Sequence, residues 1–175
     1  GTVDPLTRLL NRAAALDAVD RLLVGPARDG VVLVCGDLDD FARVNSSLGH
    51  EAGDDLLVTL AGRLQRELPF GCTAARLSGD EFVVICSDHA EAGGPERLGH
   101  IVAELLRTSV TVAGRPVEVT ASVGLATPTA DPGLRAADML RFAEVAMQEA
   151  KKRSRGGVGV ATEVVMRSAT SQLVV

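Results

Sequence analysis

A chain of 175 residues lies in the single-domain range and can enclose one sizeable core, and with 46% apolar but only 2% aromatic residues that core must be built from Val, Leu and Ala. The net charge of −5, from 18 Lys plus Arg against 23 Asp plus Glu, argues against a broad nucleic-acid surface or an anionic membrane as partner. Cys35, Cys72 and Cys86 are odd in number without CxxC spacing, and the chain has no bilayer-length apolar run and no signal-type N-terminus; this predicts no disulfide framework, no zinc site and a soluble protein in the reducing cytoplasm.

Residues 6–23 place Leu9, Ala13, Leu16, Asp20 and Leu23 at helical intervals, with Asp4 as N-cap and Pro5 at the first helical position, which predicts a first helix. Gly25, Pro26 and Gly30 break it, and residues 31–35 form the short apolar run of a buried strand. At that strand's exit, Gly36-Asp37-Leu38-Asp39-Asp40-Phe41 crowds carboxylates where a helix can begin, the place a ligand would sit. Residues 54–68 carry Leu57, Leu60, Leu64 and Leu68 on one helical face before Pro69 and Gly71 stop it. Strands over 73–77 and 82–86 flank Ser78-Gly79-Asp80-Glu81, a hairpin with acids at its tip. A helix over 95–107, strands around Val110 and over 117–123, and a helix over 134–153 complete the pattern. Residues 162–175 are helix-compatible and stop without a cap, so neighbouring domains are expected on both sides.

If the sheet brings Asp37 to Asp80 and Glu81, the three carboxylates repel one another and keep their charge only beside cations. Hard oxygen ligands of this kind suit Mg²⁺ or Mn²⁺ holding substrate phosphates. The same residues also fit a plainer use, in which Asp37 caps a helix and Asp80 and Glu81 fill a turn.

Four segments in order resemble the GGDEF family. Residues 4–12, Asp4-Pro5-Leu6-Thr7-Arg8-Leu9-Leu10-Asn11-Arg12, are similar to its opening DxLTxLxNR motif, and residues 37–54, DLDDFARVNSSLGHEAGD, to its central one. Arg76-Leu77-Ser78-Gly79-Asp80-Glu81-Phe82 matches RxGGDEF except at Ser78, and residues 143–155 are similar to the closing ADxALYxAKxxGR. The resemblance covers residues 4–157 and gives residues 1–157 as the GGDEF domain, with 158–175 a strand or helical linker toward a downstream domain.

It implies an α/β, palm-like nucleotidyl cyclase fold, a central, mainly antiparallel sheet of about five strands flanked by helices. It also implies diguanylate cyclase activity, in which GTP on each of two facing domains condenses to the bacterial second messenger cyclic di-GMP. By the same resemblance, Asp37, Asp80 and Glu81 are catalytic. They would also hold two divalent metals, Mg²⁺ or Mn²⁺, with the Leu38 carbonyl. Asn45 and Asp54 match the guanine-recognition positions, where a carboxylate accepts from the N1 hydrogen and 2-amino group that adenine lacks. Both residues could instead cap neighbouring helices. Lys151 and Arg155 match the phosphate cations, and their i, i+4 spacing suggests one helical face; last-turn cations that complement a helix dipole are the plainer reading. Phe41 and Phe82 fall at motif positions that pack beneath the site, and the loop amides around Phe41 and Ala42 can cradle phosphate oxygens.

The chain departs from its family at several positions. Ser78 replaces a hairpin glycine, Ala42 a phosphate-binding lysine, Ser46 an aspartate and Gln148 a tyrosine. The family's RxxD inhibitory site would fall at Pro69 and Cys72 and is missing. Two functions follow: an active cyclase free of that feedback, or a GTP-binding regulatory module that tunes an attached EAL phosphodiesterase domain. Sensory and EAL domains are the expected covalent partners.

Overall fold

The computed structural model describes residues 1–162, 166, 167, 169 and 170, so most of the helix predicted over 162–175 lies outside the described residues. In chain order the elements are α1 (Arg12–Leu23), β1 (Val32–Leu38), α2 (Phe41–Leu48), α3 (His50–Glu67), β2 (Cys72–Ser78), β3 (Glu81–Cys86), α4 (Pro95–Leu105), β4 (Thr108–Val112), β5 (Arg115–Val119), β6 (Ala121–Ala126), α5 (Ala136–Arg153) and β7 (Val158–Val160).

Five strands form one sheet in the order β2-β3-β1-β6-β7, antiparallel throughout except for the parallel β6–β7 pair. β1 is the middle strand, as its unbroken apolar run requires, and its residues alternate between two cores. Val32, Val34 and Leu38 face one side with Phe82, Val84, Val123 and Leu125, under Leu57, Leu60 and Leu64 of α3 and Leu98 of α4. Leu33 and Cys35 face the other with Val83 and Ile85, under Val19 of α1 and Met139, Leu140 and Met147 of α5. Among the described residues no helix is long and apolar enough to cross a membrane.

α5 lies directly on the sheet because two glycines face each other in the β6–β7 register, Gly124 and Gly159. A Cβ at Gly124 would overlap the Ala143 carbonyl and the Met147 amide, and one at Gly159 the Ala146 carbonyl. The small residues Ala143, Ala146 and Ala150 complete this close approach, which sets the height of the α5 C-terminus over the sheet.

Three predicted elements change. α1 begins at Arg12, capped by Asn11, whose side chain accepts from the Ala14 amide, and its buried stripe is Ala15, Val19 and Leu23. Asp4 is no helix cap, because Arg8 takes a positive φ of 65° and breaks the segment, and Leu10 then bridges to Ala75 on the edge strand. The predicted strand over 117–123 divides at Thr120, where β5 leaves for a separate hairpin with β4 and β6 enters the main sheet. The helix expected from 54 starts at His50, after Gly49 (φ 92°) turns the chain between α2 and α3.

The glycine contacts give a graded expectation. Gly124→Ala forces α5 off the sheet and should lower unfolding free energy by about 3 kcal/mol or more. Gly79→Ala meets no atom of the described residues within 4 Å and only strains a left-handed backbone (φ 47°), so it should lose about 1–2 kcal/mol. Urea titration of both variants measures the difference, and equal losses would contradict this packing.

Candidate functional site

The sheet register delivers the acids to one place. Asp37, next to last in β1, pairs with Glu81, the first residue of β3, and Asp80 occupies the two-residue turn beside it. All three carboxylates are partly buried. Burial, then the charges of Asp80, Glu144 and Asp39, push Asp37 up to about 6 against the pull of Lys151. Burial, then hydrogen bonding and repulsion from Glu144 and the charge of Asp37, push Glu81 to about 8. Burial also raises Asp80, partly relieved by its own amide, Lys151 and the Leu38 amide. Among the described residues Glu81 Oε2 is buried and meets no donor, since the facing Glu144 is itself a carboxyl group.

Asp39 carries no motif role in the sequence, yet it is the buried hub of this region. Its carboxylate is only 5% exposed and accepts from Thr120 Oγ1 (2.6 Å), Ser122 Oγ (2.8 Å) and the Gly156 amide (2.9 Å). Lys151 Nζ lies 3.9 Å from Asp39 Oδ1. Glu144, which stands at the aspartate of the closing motif, also faces Asp37 and Glu81. The crowding of acids in residues 37–40 was the sequence signal for Asp39, but nothing in its spacing told which acid turns inward.

The plainer readings of several residues give way to other placements. The N-cap of α2 is Asp40, held at φ 61°, and not Asp37. Asp40 forms an ion pair with Arg155, which lies past Ser154, the C-cap of α5; Lys151 and Arg155 therefore do not share a helical face. Arg155 reaches the loop instead through the turn at Gly156 (φ 73°), whose amide Asp39 holds. Beside them a cavity of about 190 Å³ opens between α2 and the β4–β5 hairpin, lined by Asp40, Arg43, Val44, Val117 and Arg155.

Asn45 and Asp54 sit inside α2 and α3 and cap neither. Asn45 Oδ1 is buried with no partner among the described residues, and it rests on Gly53, where any Cβ would overlap it. Asp54, the next residue along α3, is exposed. Phe41 packs against the core and over Gly53, Phe82 is fully buried, and Ala42 is exposed on the first turn of α2.

The hairpin is anchored from the N-terminus. Arg76 donates to the Gly79 carbonyl (2.8 Å) and to both oxygens of Asp4 (3.1 and 3.2 Å), while Asp4 also accepts from the Thr7 amide (2.9 Å) and hydroxyl (2.8 Å). Gly79 takes the positive φ in the turn, whereas Ser78 is exposed and not among the described non-glycine residues with positive φ, so serine fits there without backbone strain.

Among the described residues no three His, Cys, Asp or Glu side chains form a metal cage on their own. Mg²⁺ commonly takes only one or two carboxylates and completes its shell with water and phosphate oxygens. Partly buried, mutually repelling acids with an open oxygen on Glu81 fit such an ion.

Sheet, flanking helices and converging acids together define an α/β domain of the nucleotidyl cyclase type. The sequence profile described as "Diguanylate cyclase, GGDEF domain" matches residues 1–157, and the chain belongs to that family. It is 34% identical over 161 residues to diguanylate cyclase DgcP of Pseudomonas aeruginosa, covering 90% of this chain and 24% of that protein. The GGDEF domain of TpbB (YfiN) from Pseudomonas aeruginosa superposes with a TM-score of 0.82 at 29% identity, over 96% of this chain and 99% of that one. The GGDEF domain of DgcB from Caulobacter crescentus, solved with c-di-GMP, gives 0.73 at 27% identity, over 93% and 94%. The chain spans about a quarter of the length of the curated relatives it matches.

Asp4 supplies a pH test of the anchor. Burial works against its charge, but hydrogen bonds from Thr7 and the Arg76 guanidinium outweigh it and hold the carboxyl below its ordinary value. A lowered folded-state pKa contributes stability above the unfolded value and loses it as pH falls through the folded one. Asp4→Asn should therefore be about 2 kcal/mol less stable near neutrality. The gap to wild type should close below about pH 4 in denaturant titrations across pH, and a gap independent of pH would refute the assignment.

Proposed function

We propose that this chain is a catalytically competent diguanylate cyclase half-site, one GTP per domain, which joins a second copy face to face to make cyclic di-GMP. The observation that carries this reading is the convergence of the Asp37 exit acid with the hairpin acids Asp80 and Glu81 beside Lys151, in a pocket short of positive charge. Asp37, Asp80, Glu81 and the Leu38 carbonyl would hold two divalent ions, Mg²⁺ or Mn²⁺, which when bound neutralise the acids and the charge gathering on the phosphates.

The chain's own residues do the rest. Asn45 Oδ1 lacks a partner in a buried position, and a guanine amino group supplies the missing donor; the neighbouring Asp54 carboxylate accepts the remaining N1 and 2-amino hydrogens. Adenine offers no hydrogen at N1 and no 2-amino group, so it would leave the buried Asn45 oxygen without its donor and the exposed Asp54 carboxylate to water, and guanine is preferred. The α2 N-terminal amides, Lys151 and Arg155 position the triphosphate, Arg155 exchanging its Asp40 contact for phosphate. Glu81 Oε2 takes the proton of the 3′ hydroxyl as that oxygen attacks the partner's α-phosphate. Pyrophosphate leaves, and the same step in the opposite sense, from the partner's 3′ hydroxyl onto this domain's α-phosphate, closes the ring and releases a second pyrophosphate.

Ser78 is compatible with this chemistry because its backbone is unstrained and the demanding turn conformation falls on Gly79. Ala42 removes the family's lysine from the first turn of α2 and leaves Arg43 as that turn's cation, which favours weak GTP binding and keeps a regulatory, non-turning-over role as the second reading. The family's inhibitory arginine and aspartate positions hold Pro69 and Cys72, so product should not feed back there. Residues 1–157 are the cyclase domain in this reading, with sensory and EAL domains attached in the whole cytoplasmic protein.

Incubation of the full-length protein with GTP and Mg²⁺ or Mn²⁺ should yield cyclic di-GMP by chromatography, with Asp80→Asn abolishing it. Ala42→Lys should tighten GTP binding by about 10-fold or more, the worth of one charge-assisted contact, in calorimetry. GTP binding without product at high protein concentration would select the regulatory reading, and absence of GTP binding would remove both.

A further inference from the structure

Cys72 and Cys86 stand directly opposite each other in the β2–β3 pairing. The Ser87 amide donates to the Gly71 carbonyl, which makes 71 and 87 a hydrogen-bonded pair, while the Cys72 amide turns away to the Pro69 carbonyl. The two kinds of pair alternate along an antiparallel ladder, so Cys72 and Cys86 form a non-hydrogen-bonded pair. Their side chains then share a face, and their Cα atoms are about 4.5 Å apart, within the span a disulfide accepts.

Both side chains join the same apolar cluster as Phe82 and Val84, and both thiols are free. Cys35 packs in the cluster on the opposite face beside Met147, out of reach. Cys86 is fully buried, but Cys72 is partly exposed and borders a surface cavity of about 260 Å³ shared with Arg8, Leu68 and Thr73. A small reagent can therefore meet Cys72 first, with Cys86 waiting behind it.

We propose that Cys72 and Cys86 are an oxidisable cross-strand pair, which a low-molecular-weight disulfide converts into an intramolecular disulfide at the open end of the β2–β3 hairpin. The Cys72 sulfur, giving up its proton, attacks one sulfur of the reagent and expels one thiol. The Cys86 sulfur, giving up its proton, attacks the Cys72 sulfur of the mixed disulfide and expels the second. Two protein thiols lose two electrons, and the reagent is reduced to two thiols. Burial, then the Cys86 side chain, push the Cys72 thiol up to about 12, so the first attack is slow near neutrality and the pair answers sustained oxidant.

The bond would close the loop from 72 to 86, whose tip carries Asp80 and Glu81, and tie down the turn at Pro69, Phe70 and Gly71. The cysteines lie at the far end of the hairpin from the acids, so this pair stands whether or not the nucleotide reading does.

The test incubates the folded protein with oxidised glutathione, blocks remaining thiols by alkylation and digests with trypsin without reductant. Cleavage after Arg66, Arg76 and Arg97 yields peptides 67–76 and 77–97, which should run as one disulfide-linked species while Cys35 is alkylated. The thermal midpoint should rise by about 5 °C or more and return on reduction. Cys72→Ser, at a partly exposed position, should melt like the reduced wild type and lose both effects. Alkylated Cys72 and Cys86, a reaction that stops at a glutathione adduct on Cys72, or a bond to Cys35 would each overturn the proposal.

Discussion

The placement of the candidate site depends on one buried carboxylate. Asp39 has almost no contact with solvent, so each of its oxygens needs a donor, and the donors come from distant parts of the chain: Thr120 between β5 and β6, Ser122 in β6, and Gly156 after α5. Burying an acid without such partners is severely unfavourable, which makes the arrangement close to all-or-none. Satisfying Asp39 pins the exit of β1 to the sheet and draws the α5 C-terminal loop against it. Asp37, Asp40, Lys151 and Arg155 are then in position through their neighbours in the chain.

The second constraint is the closeness of α5 to the sheet. Glycines at 124 and 159 let helix backbone touch strand backbone, so the helix has little freedom to slide or tilt. Lys151 and Glu144 ride on this helix, one bringing a positive charge to the acids and the other a further negative one. The hairpin enters from the opposite direction, braced by the Arg76 contacts with Asp4 and the Gly79 carbonyl. Three independently supported elements thus meet at a point where their charges do not balance.

That imbalance opposes folding and favours binding. Partly buried acids that repel one another weaken the domain, and in the proposed reading cations and phosphates would offset that repulsion. The unpartnered oxygens of Asn45 and Glu81 have the same character. Among the described residues four buried side-chain atoms lack a partner, on Asn45, Glu81, His89 and Arg141, and the proposed reading assigns a ligand to the first two, on the α2 side and the β3 side of the acid cluster.

Much of this was legible in the residues. The apolar run at 31–35, the leucine stripe of α3, and Gly79 with Asp80 between two strand-forming runs are local patterns, and local sterics and burial decide them. The motif order from Asp4 to Arg155 also named the acids, Asn45 and the basic pair, and with them the family. Local pattern misjudged Thr120 and Arg155, each because a partner far along the chain outweighed a neighbour: Asp39 claims Thr120, and Asp40 claims Arg155, whereas Asp4 keeps its neighbour Thr7 but caps no helix because Arg8 breaks the segment. The chain alone determined most of the strands and helices, the division at Thr120 and the short β7 apart, and which acids are available, since those follow from side-chain periodicity and turn chemistry. Only the tertiary structure decided that Asp39 turns inward while Asp37 faces the hairpin, because the choice between adjacent carboxylates rests on donors more than eighty residues away.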